Sequence, residues 1–219
     1  MNIKNFFKGI FDIFLYFIAT LFVYLIFSNG IDNNNLYLSN IATIVSDLTI
    51  LFIFIVFFRK TIVPDYYDFK KNYKKLIKDN LKYWLIGLIL MVISNVLIGF
   101  WIDLPTNEEI NRELLLSTTI PTIISVVIVA PITEELITRK HLKDAFKNQY
   151  VYIIISGLIF GSLHLLVAES VMECLYIIPY SVLGCAFAKI YYNTNNIWTN
   201  IFFHSIHNLI AIILIFTGV

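Results

Sequence analysis

Seven apolar runs dominate the 219 residues, at approximately 10–28, 37–58, 83–102, 118–138, 150–168, 171–192 and 197–218. A hydrocarbon core about 30 Å thick is crossed by about 20 apolar residues in an α-helix. Lipid offers no partner to backbone N–H and C=O groups, so only helices and closed barrels span it. Runs of this length exceed the roughly 9–11 residues of a barrel strand. The expected fold is therefore all-α, a polytopic transmembrane bundle of about seven spans. Composition agrees: 58% of residues are hydrophobic and only 14% charged, which excludes an ordinary soluble domain.

The charges report orientation. Met1 to Lys8 is basic and precedes a run too long for a signal-peptide core, so the first run is read as a retained helix in the cell membrane. Residues 59–82 carry Arg59, Lys60, Lys70, Lys71, Lys74, Lys75, Lys78 and Lys82, and residues 139–147 are basic again. Between them lies an acidic loop, 103–113, with Asp103, Glu108, Glu109 and Glu113; the other intervening loop, 31–35, is rich in asparagine. The positive-inside rule then makes the N-terminus and both basic loops cytoplasmic. In 59–82, Tyr66, Tyr67, Phe69, Tyr73, Leu76 and Ile77 offer an apolar stripe, either for an interfacial amphipathic helix or within a solvated linker. A net charge of +1 leaves no footprint for nucleic acid, and none is expected as a partner. The organisation expected is N-terminal helices over 1–114 and a helical core with a buried polar site over 115–219.

Charge within a span is costly and by default marks function. The stretch APITEELITRK, 130–140, places Glu134 and Glu135 side by side. Neighbours on a helix point about 100° apart, so the two carboxylates face different surroundings. Glu135 and Arg139 stand at i and i+4 in the favourable order for an ion pair, which leaves Glu134 on another face. Pro131 loosens the ladder just before them. In the next span Phe160 and His164 share a face, and Gly157 and Gly161 invite close approach of another helix. In the last span His204 and Asn208 share a face, with His207 pointing partly elsewhere. Asp12 is expected among headgroups, Asp47 beside Ser46 or Thr49 or on the cavity, and Glu169 and Glu173 in solvent. Cys174 and Cys185, eleven apart on one stretch, cannot pair.

Taken in order, Glu134-Glu135-x-x-x-Arg139, Phe160-x-x-x-His164 and His204-x-x-x-Asn208 resemble the three motifs of the CAAX prenyl protease and bacteriocin-processing family, CPBP or Abi. The resemblance spans about residues 115–212. It implies an intramembrane endopeptidase acting on a membrane-associated peptide or protein. By motif, Glu134 is the catalytic carboxylate and His164 its partner in activating water. His204 and Asn208 would stabilise the oxyanion, and Glu135, Arg139 and Phe160 support the site. The alternative is a non-enzymatic immunity or regulatory protein of the same fold.

A competing chemistry places zinc on Glu134, His164 and His204, one oxygen and two nitrogens with an open position for water. The metal-free route is preferred, because a metal-bound Glu134 leaves the reaction without a base once Glu135 is committed to Arg139. One geometric demand follows. With the boundaries above, Glu134 and His164 differ in depth by roughly 15 Å at 1.5 Å per residue. Convergence requires the fourth helix to continue past Arg139 or the fifth to begin well after Tyr150; both shifts are expected.

Overall fold

The computed structural model describes residues 1–29 and 36–217. The asparagine-rich loop expected at 31–35 lies outside them. The described residues are helical, with no strand among them. The helices are α1 Ile3–Ser28, α2 Leu36–Phe57, α3 Arg59–Gly99, α4 Thr106–Ser117, α5 Thr119–Ile124, α6 Ala130–Thr138, α7 Lys140–Ala145, α8 Gln149–Leu163, α9 Ile177–Thr194 and α10 Ile197–Thr217. A π-helical turn, Ser125–Val129, joins α5 to α6, and a 3₁₀ turn, Val171–Tyr176, leads into α9.

Among the described residues, five helical stretches are long and apolar enough to cross a membrane: Ile3–Ser28, Arg59–Gly99, Thr119–Ala145, Val171–Thr194 and Ile197–Thr217. The other two runs hold α2, Leu36–Phe57, with 22 residues, and the shorter apolar α8, Gln149–Leu163, with 15. The chain is thus a helical membrane bundle in which α8, with 15 residues, falls short of a full crossing by length.

The basic segment 59–82 is not a separate element. It is the first half of α3, a 41-residue helix continuous with the third span. At 1.5 Å per residue α3 is about 60 Å long, twice the hydrocarbon thickness, so its lysine-rich half projects beyond the span or lies steeply tilted. No glycine or proline occurs from Asp65 to Ile86, so nothing in the sequence ends the helix where its composition changes. The apolar stripe divides: Tyr66 packs on Trp198 and Phe69 on Phe202 of α10, while Tyr67 and Tyr73 stay exposed.

The two ends of the bundle are tied separately. At the basic end, Asn2 N–H donates to the Ala145 carbonyl and Asn5 to that of Asp144. There Lys143 donates to Asn195, Asn193 to Asn80, and Asn196 to Asp65 and Asp68. At the acidic end, Glu173 accepts from the backbone N–H groups of Thr106, Glu169 and Ser170, and Tyr176 Oη donates to the Asp103 carbonyl. Glu173 is therefore buried and caps two elements, where solvent was expected.

Asp12, expected among headgroups, is buried and paired with His141 Nδ1 of α7. Asp47 bonds neither Ser46 nor Thr49, whose hydroxyls donate to Ala42 and Val45 carbonyls; it accepts from Ser125 Oγ in the π-helical turn. Small residues set the α8–α9 contact. A Cβ on Gly157 would lie 2.8 Å from the Ser181 carbonyl, and one on Gly161 2.9 Å from the Ser181 nitrogen. The main apolar core draws on both halves of the chain, from Val23, Phe54 and Ile62 to Leu136, Tyr152 and Ile201.

Candidate active site

The fourth span runs on through α7 to Ala145, as the depth argument requires. The fifth helix does not start late; it begins at Gln149, beside Tyr150. The first adjustment suffices. The fourth span gains seven residues beyond 138 and the fifth starts one before 150, a net shift of about 9 Å that cuts the depth difference between Glu134 and His164 to about 6 Å. Both then line one cavity of about 340 Å³, together with Phe160, Tyr180, His204, His207 and Asn208.

Behind the cavity wall, toward the basic end, sits a closed ionic cluster. Glu135 and Arg139 are fully buried and paired through two bonds, Nε to Oε2 at 2.6 Å and Nη2 to Oε1 at 3.0 Å. Arg139 Nη1 donates to Ser156 Oγ at 2.6 Å, and Ser156 Oγ donates to the Thr138 carbonyl at 2.8 Å. The guanidinium lies 5.3 Å from the Phe160 ring centre. Asn200 Nδ2 donates to Glu135 Oε2 at 2.9 Å and to the Phe187 carbonyl at 2.8 Å. His204 Nδ1 stands 3.1 Å from Glu135 Oε1. A buried ion pair is tolerated when further hydrogen bonds satisfy its remaining atoms, and both carboxylate oxygens of Glu135 meet that condition.

Glu134 differs. Its Oε2 is buried with no hydrogen-bond partner, and His204 Nε2 stands 3.9 Å from it. His204 thus bridges the two glutamates. A carboxylate only accepts, so the Nδ1 facing Glu135 carries the proton. Nε2 then bears hydrogen only when the ring is an imidazolium. The ring is held flat against Phe187, 4.9 Å between centroids and 25° apart.

His164 closes α8. Its Nδ1 is 3.0 Å from the Phe160 carbonyl, which can only accept, so the neutral ring keeps its proton on Nδ1 and its lone pair on Nε2. Tyr180 stacks on it at 4.5 Å.

Asn208 is explained by the π-helical turn. In that turn Ala130 N–H donates to the Ser125 carbonyl, five residues back. The next donor in this register would be residue 131, a proline without an N–H, so the Val126 carbonyl is orphaned. Asn208 Nδ2 fills the vacancy at 2.8 Å. One amide hydrogen is spent there and the other is left.

Sequence reasoning passed over four lining or supporting residues. Asn200 precedes His204 and Asn208 at i, i+4 and i+8, a single stripe that spacing alone reveals. Tyr180, Asn107 and Glu108 join the cavity only through tertiary packing. Among the described residues, no three His, Cys, Asp or Glu side chains are grouped so as to hold a metal ion. The trio Glu134, His164 and His204 thus does not form a ligand set, and no zinc step is derived.

Residues 116–210 match the Rce1-like family. That family is described as type II CAAX prenyl endopeptidase Rce1-like, and the match takes in every residue of the closed cluster and both cavity histidines of the motifs. The chain is also 33% identical over 93 residues to an uncharacterized protein of Mycoplasma capricolum subsp. capricolum. That alignment covers 42% of this chain and 27% of the relative, so the chain spans only about a quarter of that protein. No solved structure matches. The Rce1-like segment begins just ahead of α5 and stops within α10; α1 to α3 lie outside it and buttress it from the sides.

Proposed function

We propose that the chain is an intramembrane endopeptidase that hydrolyses peptide bonds of a membrane-associated peptide or protein. One observation carries the reading: a buried, unpartnered carboxylate oxygen of Glu134 faces a cavity that also holds His164 and His204, while adjacent Glu135 is fully engaged. The Rce1-like match over these residues supports it.

In this mechanism Glu134, with the Nε2 lone pair of His164, takes a proton from water as its oxygen attacks the peptide carbonyl carbon. General-base catalysis of this kind contributes roughly 10²–10⁴-fold. The carbonyl oxygen becomes an oxyanion. His204 donates to it from Nε2 as an imidazolium, held by Glu135, and Asn208 donates its remaining amide hydrogen. The C–N bond then breaks, and the proton held by Glu134 passes to the leaving amine. Arg139 fixes Glu135, which orients His204; Phe160 supports both His164 and Arg139.

The test is mass spectrometry of membrane peptides from cells carrying the normal chain or Glu134→Gln. Fragments found only with the normal chain are expected. Identical peptide sets, with a phenotype that survives Glu134→Gln, would replace the enzyme by a binding protein such as an immunity factor.

A further inference from the structure

From Glu134 the lining of the cavity runs on toward the acidic end of the bundle. Its outer lining comes from Asn107, Glu108 and Asn111 of α4 and from Tyr180, just past the turn that Glu173 ties to α4. Among the described residues, none of 59–82, 139–147 or 189–200 lines it. On that side the route is shut by Glu135, Arg139, Ser156 and Asn200, all fully buried.

The two ends also differ in charge. Of the 16 lysines and arginines, only Arg112 belongs to the end where the cavity opens, and it is paired with Glu108. Arg139 is buried in the closed cluster. The others lie at or near the opposite end: the start of α1, the first half of α3, α7 and the loop after it, and the last turns of α9. The hydrogen bonds from Asn2, Asn5, Lys143, Asn193 and Asn196 gather these segments into one face. Lysine and arginine next to spans are retained on the cytoplasmic side, while acidic residues contribute little to orientation.

From these two asymmetries we infer that the site opens at the extracytoplasmic face, and that its substrate is a peptide or membrane-protein segment presented there. The inference rests on the peptidase reading for the word substrate, but the direction of opening stands on packing and charge alone. A chain end or loop lying on the outer leaflet reaches Glu134 past Asn107, Asn111 and Tyr180. A cytoplasmic segment meets the Glu135–Arg139 cluster instead.

Single cysteines placed on each end test the direction. In a Cys174→Ser, Cys185→Ala background, Glu109→Cys on α4 and Lys75→Cys on α3 are exposed to a membrane-impermeant maleimide, first on intact cells and then after lysis. Reaction of the Glu109→Cys chain in intact cells, with the Lys75→Cys chain labelled only after lysis, is expected. The reverse pattern overturns the inference. Labelling in detergent checks that both chains are folded and reactive, and adding Glu134→Gln leaves the pattern unchanged because orientation does not depend on catalysis. Cleavage products, identified by the peptide comparison above, should come from outward-facing segments. Products from cytoplasmic segments would overturn the inference while leaving the peptidase standing. Absence of any product would count against the peptidase and leave the labelling to decide the side.

Discussion

Glu134 and Glu135 are chain neighbours, yet they occupy opposite kinds of environment. Glu135 is sealed, with donors from Arg139, Asn200 and His204 on its two oxygens. Glu134 borders a cavity and keeps an oxygen without a partner. The difference separates architecture from chemistry. A satisfied buried charge holds helices in register; an unsatisfied one beside a cavity is available to a reactant.

If that division is right, the closed cluster should fail by unfolding. Arg139→Ala strips the buried Glu135 of its guanidinium partner, a loss that costs about 3–5 kcal/mol. Thermal unfolding in detergent should show a large loss of Tm and a low yield of folded protein. An Arg139→Ala chain as stable as the normal one would break the comparison.

The π-helical turn stands between the two environments. Asn208→Leu removes the side-chain donor to the Val126 carbonyl and should cost about 1–3 kcal/mol. It also removes one proposed oxyanion donor, so kcat should fall while KM stays close to normal. A purely structural role for Asn208 would lower stability without that split.

The smallest effect lies away from both glutamates. Ser170 and Glu173 form a capping box at the 3₁₀ turn. Ser170→Ala should cost about 1 kcal/mol, visible in Tm, and leave cleavage unaltered. A marked loss of activity there would show that the acidic end is catalytically more important than the comparison allows.

Much of this was legible in the sequence. Seven apolar runs gave the helical bundle, and the one-residue offset of Glu134 from Glu135 separated their roles through helix geometry alone. The i, i+4 pairs at 135/139 and 204/208 were equally readable. What escaped was tertiary. Asp12 finds His141 across 129 residues, a separation no local pattern reports. The continuity of α3 was hidden by its change of composition, although propensity offered no stop. Pro131 was visible, but the π register that makes Val126 its orphan was not, so the bond from Asn208 could not be read. Asn200 belongs to the same stripe as His204 and Asn208, but its role depends on Glu135 and the Phe187 carbonyl, which only the fold brings to it.

The most direct measurement compares Glu134→Gln with Glu135→Gln in purified protein, recording unfolding temperature and hydrolysis of a peptide identified from membranes. Glu134→Gln should unfold at the normal temperature and lose about 10²-fold or more in kcat, whereas Glu135→Gln should unfold well below it. Normal turnover by a folded Glu134→Gln protein would contradict the account.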